Sequence, residues 1–113
     1  LYNADFNQDG STDDEVFTCA KETLSNTGYD LTLVHFHGID DVSHAFGPHT
    51  KEVYERVENT DKLVESLAEL WNGKIIIVAD HGQHTDHGSD EKGRKGTHGA
   101  FQASDLFIPF LMK

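Results

Sequence analysis

The chain has 113 residues, enough for one domain with a modest core, and its 36% hydrophobic and 26% charged composition is ordinary for a soluble globular fold. Lys and Arg total 9 against 20 Asp and Glu, a formal net charge of -11, which argues against a non-specific grip on nucleic-acid backbone unless a strong basic patch exists. The single cysteine, Cys19, excludes an internal disulfide and zinc sites built on paired thiolates, and no apolar run approaches the roughly 18 residues of a membrane span.

Residues 1–11 are polar and turn-rich. Within them, Asp5, Asn7, Asp9, Gly10 and Asp13 follow the spacing of a calcium-binding loop, but its twelfth position is Val16 where an acidic bidentate ligand belongs, so a polar turn is the preferred reading. Thr12-Asp13-Asp14-Glu15 then matches a capping box, and Val16, Phe17, Ala20 and Leu24 share one face of an amphipathic helix that Asn26-Thr27-Gly28 closes. Leu31 to Phe36 is a β-prone run that predicts a buried strand, opening into a polar loop that carries Asp40 and His44. From about Thr50, the spacing of Val53, Val57, Val64, Leu67 and Trp71 predicts a long helix running to Asn72-Gly73.

Lys74 to Ala79 is a continuous apolar run typical of a central strand covered on both faces, and Asp80-His81-Gly82 follows at once. Residues 83–99 read as a long polar loop holding the one basic cluster, Lys92, Arg94 and Lys95, which suits solubility better than anion binding. Leu106 to Leu111 predicts a third strand. That order implies an α/β layered sheet with its polar groups gathered beyond strand ends, where ligands bind in such sheets. Phe107 to Lys113 stops without a turn or polar tail, which suggests an excised fragment, and no targeting segment can be read, so compartment is open.

Three polar segments stand where chemistry is expected: Asp40 with His44, Asp80 with His81, and His98 between Gly96-Thr97 and Gly99. Without thiolates, zinc favours imidazole and carboxylate, and five such ligands are too many for one tetrahedral ion with an open position. Two ions fit better, and a metal pair can clamp the attacking and leaving oxygens of a phosphoryl displacement. Each segment alone also has a plain structural reading: a solvated loop pair, a helix cap beside a satisfied histidine, a turn residue. His35 and His37 alternate with Val34 and Phe36 and read as structural or supporting residues; His49, His84 and His87 read as solvated, with Asp86 and His87 as candidates to support the centre.

Ile39-Asp40-Asp41-Val42-Ser43-His44-Ala45-Phe46-Gly47-Pro48, Ala79-Asp80-His81-Gly82 and Gly96-Thr97-His98-Gly99, in that order, resemble the type I phosphodiesterase/nucleotide pyrophosphatase branch of the alkaline phosphatase superfamily. The resemblance implies an alkaline-phosphatase-like α/β layered sheet with flanking helices, present only in part, and residues 1–113 as the metal-ligand half of a catalytic domain. It places one divalent metal, with zinc expected, on Asp40, His44 and His98, and a second on Asp80 and His81, so the first site is the more complete. It implies a phosphodiester or nucleotide pyrophosphate substrate, with a Thr or Ser nucleophile and a further aspartate from an upstream segment that has no counterpart here. Unaided turnover by this chain is therefore not expected. The alternatives are a phosphatase, phosphomutase or sulfatase on the same metal frame, or a non-enzymatic metal-binding module.

Overall fold

In a computed structural model that describes residues 4–26, 28–87 and 93–113, the chain forms four helices and two small antiparallel sheets among the described residues. Helix α1 (Asp13–Asn26) begins with three acidic residues, Asp13, Asp14 and Glu15, where the helix dipole favours negative charge. Glu15 does not close a capping box. Its Oε1 instead accepts the Phe6 and Asn7 N–H groups at 2.8 and 3.3 Å, folding the N-terminal turn back onto the helix.

Helix α3 (Lys51–Ala68) ends four residues before the predicted Asn72-Gly73 stop. Its buried positions, Val53, Thr60 and Leu67, recur every seven residues, two helical turns apart, so one narrow stripe faces inward. That stripe packs α3 against both α1 and α2 (Gly38–Phe46), with Ala20 contributed from α1. Among the described residues, Ala20, Val53 and Leu67 are the buried apolar side chains.

Four expectations need correction. Asp40 and His44 are not on a loop: they lie on α2, whose first turn holds Asp40 and Asp41, where the dipole favours negative charge, and whose last turn holds His44. Leu31 to Phe36 pairs with no strand among the described residues, and Leu31 and Leu33 are 84% and 91% exposed. Lys74 to Ala79 contracts to strand β1 (Ile76–Val78), whose three side chains are exposed where the run predicted a strand covered on both faces. The third strand, expected over Leu106 to Leu111, begins only at Phe110 as β4 (Phe110–Met112), after a short helix α4 (Ala103–Leu106) and with Pro109, which has no N–H to donate, just ahead of the pairing.

Strand β4 pairs antiparallel with β1, in the register Ile76 with Met112 and Val78 with Phe110. The polar loop contains a small hairpin, β2 (His84–Thr85) with β3 (Gly96–Thr97), and its segment 88–92, including Lys92 of the basic cluster, lies outside the described residues. The chain is thus a mixed assembly of helices and small antiparallel sheets, consistent with part of an α/β domain. Among the described residues, no helix is long and apolar enough to cross a membrane.

Candidate metal centre

Three local structures converge. Helix α2 presents Asp40 and His44 one turn apart on the same face, because residues at i and i+4 stack along a helix. The segment leaving β1 carries Asp80 and His81, and the residue after β3 is His98. The hairpin is docked onto α2 by the Lys95 N–H, which donates to His44 O at 2.9 Å.

Two glycines permit this closeness. A Cβ on Gly96 would stand 2.2 Å from Ser43 O of α2, and one on Gly82 would stand 1.9 Å from Ser104 O, so any side chain at either position would push a segment of the centre away.

Asp40 is the hub. One carboxylate oxygen, Oδ1, lies 3.6 Å from His98 Nε2 and 3.9 Å from His81 Nε2, while Oδ2 lies 3.4 Å from His44 Nε2 and 3.5 Å from His37 Nε2. Among the described residues, Asp40, His81 and His98 each offer one ligand atom with all three atoms inside 4.8 Å, and His37, Asp40 and Asp41 form a second such group. The His81 and His98 rings stack at 3.8 Å between centroids, and His44 tilts against His98 at 5.1 Å. Asp80 stands at the margin, its side chain 65% exposed against 17% for Asp40, with Oδ2 3.6 Å from His81 Nε2.

The far nitrogens of two rings show what the near ones can do. His44 Nδ1 meets Gly96 O at 2.7 Å and His81 Nδ1 meets Gly82 O at 2.9 Å. A carbonyl only accepts, so each Nδ1 carries the proton, and in a neutral ring Nε2 is left as a lone pair facing Asp40. Lone pairs facing a carboxylate repel it unless a proton or a metal cation stands between them, and fixing a ligand histidine through its other nitrogen is the usual support for a metal site. The donor set therefore fits a divalent ion of borderline softness such as zinc.

Supporting contacts add residues that sequence reasoning missed. Gln83 Nε2 donates to Asp40 Oδ1, and only its adjacency to Asp80-His81-Gly82 hinted at a role. His84, expected to be solvated, meets Asp105 Oδ1 through Nδ1 at 2.8 Å, and Asp105 is buried. Burial penalises the Asp105 charge, yet the His84 hydrogen bond, the Ala100 N–H at 2.8 Å and the charge on His84 hold its carboxyl below the usual carboxylate range. His37 is raised above the ordinary histidine value by its hydrogen bond to Asp41 at 3.0 Å, with burial opposing and the charges of Asp41, Asp40 and Asp13 adding. His35 Nε2 lies 3.9 Å from Asp80 Oδ2. A cavity of about 360 Å³ lies against Asp80, His81 and His98, with Phe101, Leu106 and Ile108 as its apolar wall.

The sequence profile of the type I phosphodiesterase / nucleotide pyrophosphatase family matches residues 1–94, a span that contains Asp40, His44, Asp80 and His81, with His98 just beyond it. Similar curated proteins include the catalytic subunit of GPI ethanolamine phosphate transferase 3 from Homo sapiens, 35% identical over 74 residues, which are 62% of this chain and 7% of that protein. Its Mus musculus counterpart aligns with the same identity and coverage. GPI ethanolamine phosphate transferase 3 of Schizosaccharomyces pombe is 24% identical over 84 residues, 74% of this chain and 9% of that protein. The chain thus spans less than a tenth of the length of each of these relatives. No solved structure matches it.

Proposed function

Since the chain belongs to the type I phosphodiesterase / nucleotide pyrophosphatase family, whose members act on phosphate esters, we propose that it supplies the metal-holding face of a phosphoryl-transfer site. Asp40, His44, His81 and His98 are the ligands, with Asp80 completing a second, weaker position. The observation that carries this reading is the convergence of imidazole Nε2 atoms on the Asp40 carboxylate, with the Nδ1 atoms of His44 and His81 tied to backbone carbonyls.

Bound divalent ions, with zinc as the proposed identity, would supply Lewis-acid polarisation of the phosphoryl oxygens and charge neutralisation in an in-line displacement. The protein's part is positional. Gln83 holds the Asp40 carboxylate, the Gly96 and Gly82 carbonyls hold two rings, and the cavity beside His81 and His98 has the size for a phosphate ester with a small substituent against Phe101 and Leu106. The substrate of this reading is a phosphodiester or a nucleotide pyrophosphate. Layering of the helices on an alkaline-phosphatase-like sheet belongs to the same proposal.

A second reading has a specific observation in its favour. The relatives at 35% identity are named as GPI ethanolamine phosphate transferases, so on this reading ethanolamine phosphate passes to an acceptor other than water. Both readings share the metal face and differ in the acceptor. The test is an assay of a polypeptide that contains this chain together with a Thr or Ser nucleophile, using bis(p-nitrophenyl) phosphate and a phosphoethanolamine diester, with and without chelator. The proposal expects diester turnover that chelation abolishes and zinc restores. Turnover indifferent to chelator, or no turnover of either diester, contradicts it. Product appearing only when an alcohol acceptor is added selects the transferase reading.

A further inference from the structure

We propose that Asp13, at the first turn of α1, is a positioning residue for Asp40 and His44, acting as the N-terminal cap of α2 from 25 residues away. The functional half of this inference rests on the metal-ligand reading above.

The first N–H groups of a helix have no partner within it. Helix α2 begins at Gly38, and the preceding residue, His37, makes no side-chain cap. The missing acceptor comes from α1. Asp13 Oδ1 accepts the His37 N–H at 2.8 Å and the Gly38 N–H at 3.2 Å, and Oδ2 accepts the Gly38 N–H at 3.1 Å. A carboxylate here satisfies orphan donors and also opposes the positive end of the α2 dipole.

Asp13 is only 2% exposed, and a carboxylate at that depth needs its hydrogen bonds, so it has no alternative resting place. It is also held from behind. Its own N–H donates to Ser11 Oγ at 3.2 Å, and Ser11 Oγ accepts Arg56 Nη1 of α3 at 3.3 Å, so the cap is braced on the helix that packs beneath α2. The fit depends on Gly38. A Cβ there would stand 2.5 Å from Asp13 Oδ2 and 3.2 Å from Arg56 Nη1, so a side chain at this position would displace the carboxylate.

Asp40 follows Gly38 by two residues, roughly 3 Å along the helix axis, and His44 lies about one turn further. The cap therefore sets the height and rotation of α2 at the point nearest its ligands. Ligand geometry is sensitive to displacements of about 0.5 Å, and loss of a supporting contact at a metal site lowers affinity by roughly 10- to 100-fold. On this account α1 is part of the site although none of its residues faces the metal.

The experiment compares the chain with Asp13→Ala, Asp13→Asn and, as a control, Val53→Ala, which thins the core under α3 without touching the cap. Two readouts need no metal: hydrogen exchange at the His37 and Gly38 amides, and the His44 Nδ1 proton resonance held by Gly96 O. A third is cobalt(II) affinity, followed by visible absorption. Asp13→Ala is expected to lose His37 and Gly38 protection, to shift or broaden the His44 resonance, and to weaken cobalt binding about tenfold or more. Asp13→Asn, which keeps one acceptor oxygen, recovers part of each. Val53→Ala at a matched loss of melting temperature leaves the three readouts near wild type. If Val53→Ala and Asp13→Ala change the His44 resonance equally, or if Asp13→Ala leaves His37 and Gly38 exchange unchanged, the positioning role is overturned. Absence of cobalt binding by the unsubstituted chain would refute the metal reading, while the two metal-free readouts still decide the role of Asp13.

Discussion

Alanine at Gly82 is a sharp test of how the centre is assembled. The added Cβ would stand 1.9 Å from Ser104 O, 2.9 Å from its carbonyl carbon and 3.2 Å from Asp105 Cα, all backbone atoms that no rotamer change can move. Relief requires the 80–83 and 104–105 segments to separate by more than an ångström, which breaks the Gly82 N–H to Asp105 O hydrogen bond of 2.9 Å. Overpacking of this kind together with one lost buried hydrogen bond costs about 2–4 kcal/mol. At Gly28, whose backbone is not in the left-handed region, an added Cβ meets nothing within 4 Å, so alanine there is expected to change stability by less than about 0.5 kcal/mol. Urea unfolding followed by far-ultraviolet circular dichroism, with matching slopes for the variants, measures both. A Gly82→Ala chain within about 0.5 kcal/mol of wild type, or a Gly28→Ala chain equally destabilised, would refute the close approach on which the centre depends.

Other outcomes follow from the same contacts. Asp105 has a lowered folded-state pKa, so its contribution to stability is complete above the unfolded value of 3.8 and is lost as pH falls through the lower folded value. Asp105→Asn should therefore flatten the acid limb of the stability profile, and an unchanged limb in acid titration by circular dichroism would contradict the assignment. The Lys51–Glu55 pair is solvent-exposed at 3.1 Å, and Lys51→Ala should cost no more than about 0.5 kcal/mol in the same urea assay. The chain alone should turn over bis(p-nitrophenyl) phosphate at background rate with zinc present, and metal-dependent turnover would place a nucleophile within it.

The legible parts of this protein were those encoded locally. Helix α1 follows from an acidic first turn ahead of an apolar face, and α3 from residues spaced to share one stripe, of which Val53 and Leu67 are buried. Strands were harder because a strand is defined by its partner: Leu31 to Phe36 has the composition of one and no partner among the described residues, while Phe110 to Met112 gains its identity from β1, whose Ile77 pairs with Leu111 across 34 residues of chain. Helix α2 was hidden by its glycine-led start, although the four-residue spacing of Asp40 and His44 and the two acidic residues of its first turn are helical cues.

At the site, the three motifs are visible because each is contiguous. The pairing of Gln83 with Asp40, 43 residues apart, and of His84 with Asp105, 21 apart, is not encoded in either neighbourhood. Asp13 illustrates the limit best. Its position in the first turn of α1 accounts for an acid through that helix's own dipole, and nothing nearby announces that its carboxylate serves another helix.

The central claim is that these side chains hold metal, and the most direct measurement is the zinc content of the purified chain after exhaustive dialysis, by elemental analysis, beside Asp40→Ala, His81→Ala, His98→Ala and Asp80→Ala. The account predicts about one tightly retained zinc per chain, near-complete loss on removing the Asp40 hub, substantial loss for either histidine, and the smallest loss for the exposed Asp80. A chain that retains no zinc, or variants whose zinc content equals that of the unsubstituted chain, would contradict it.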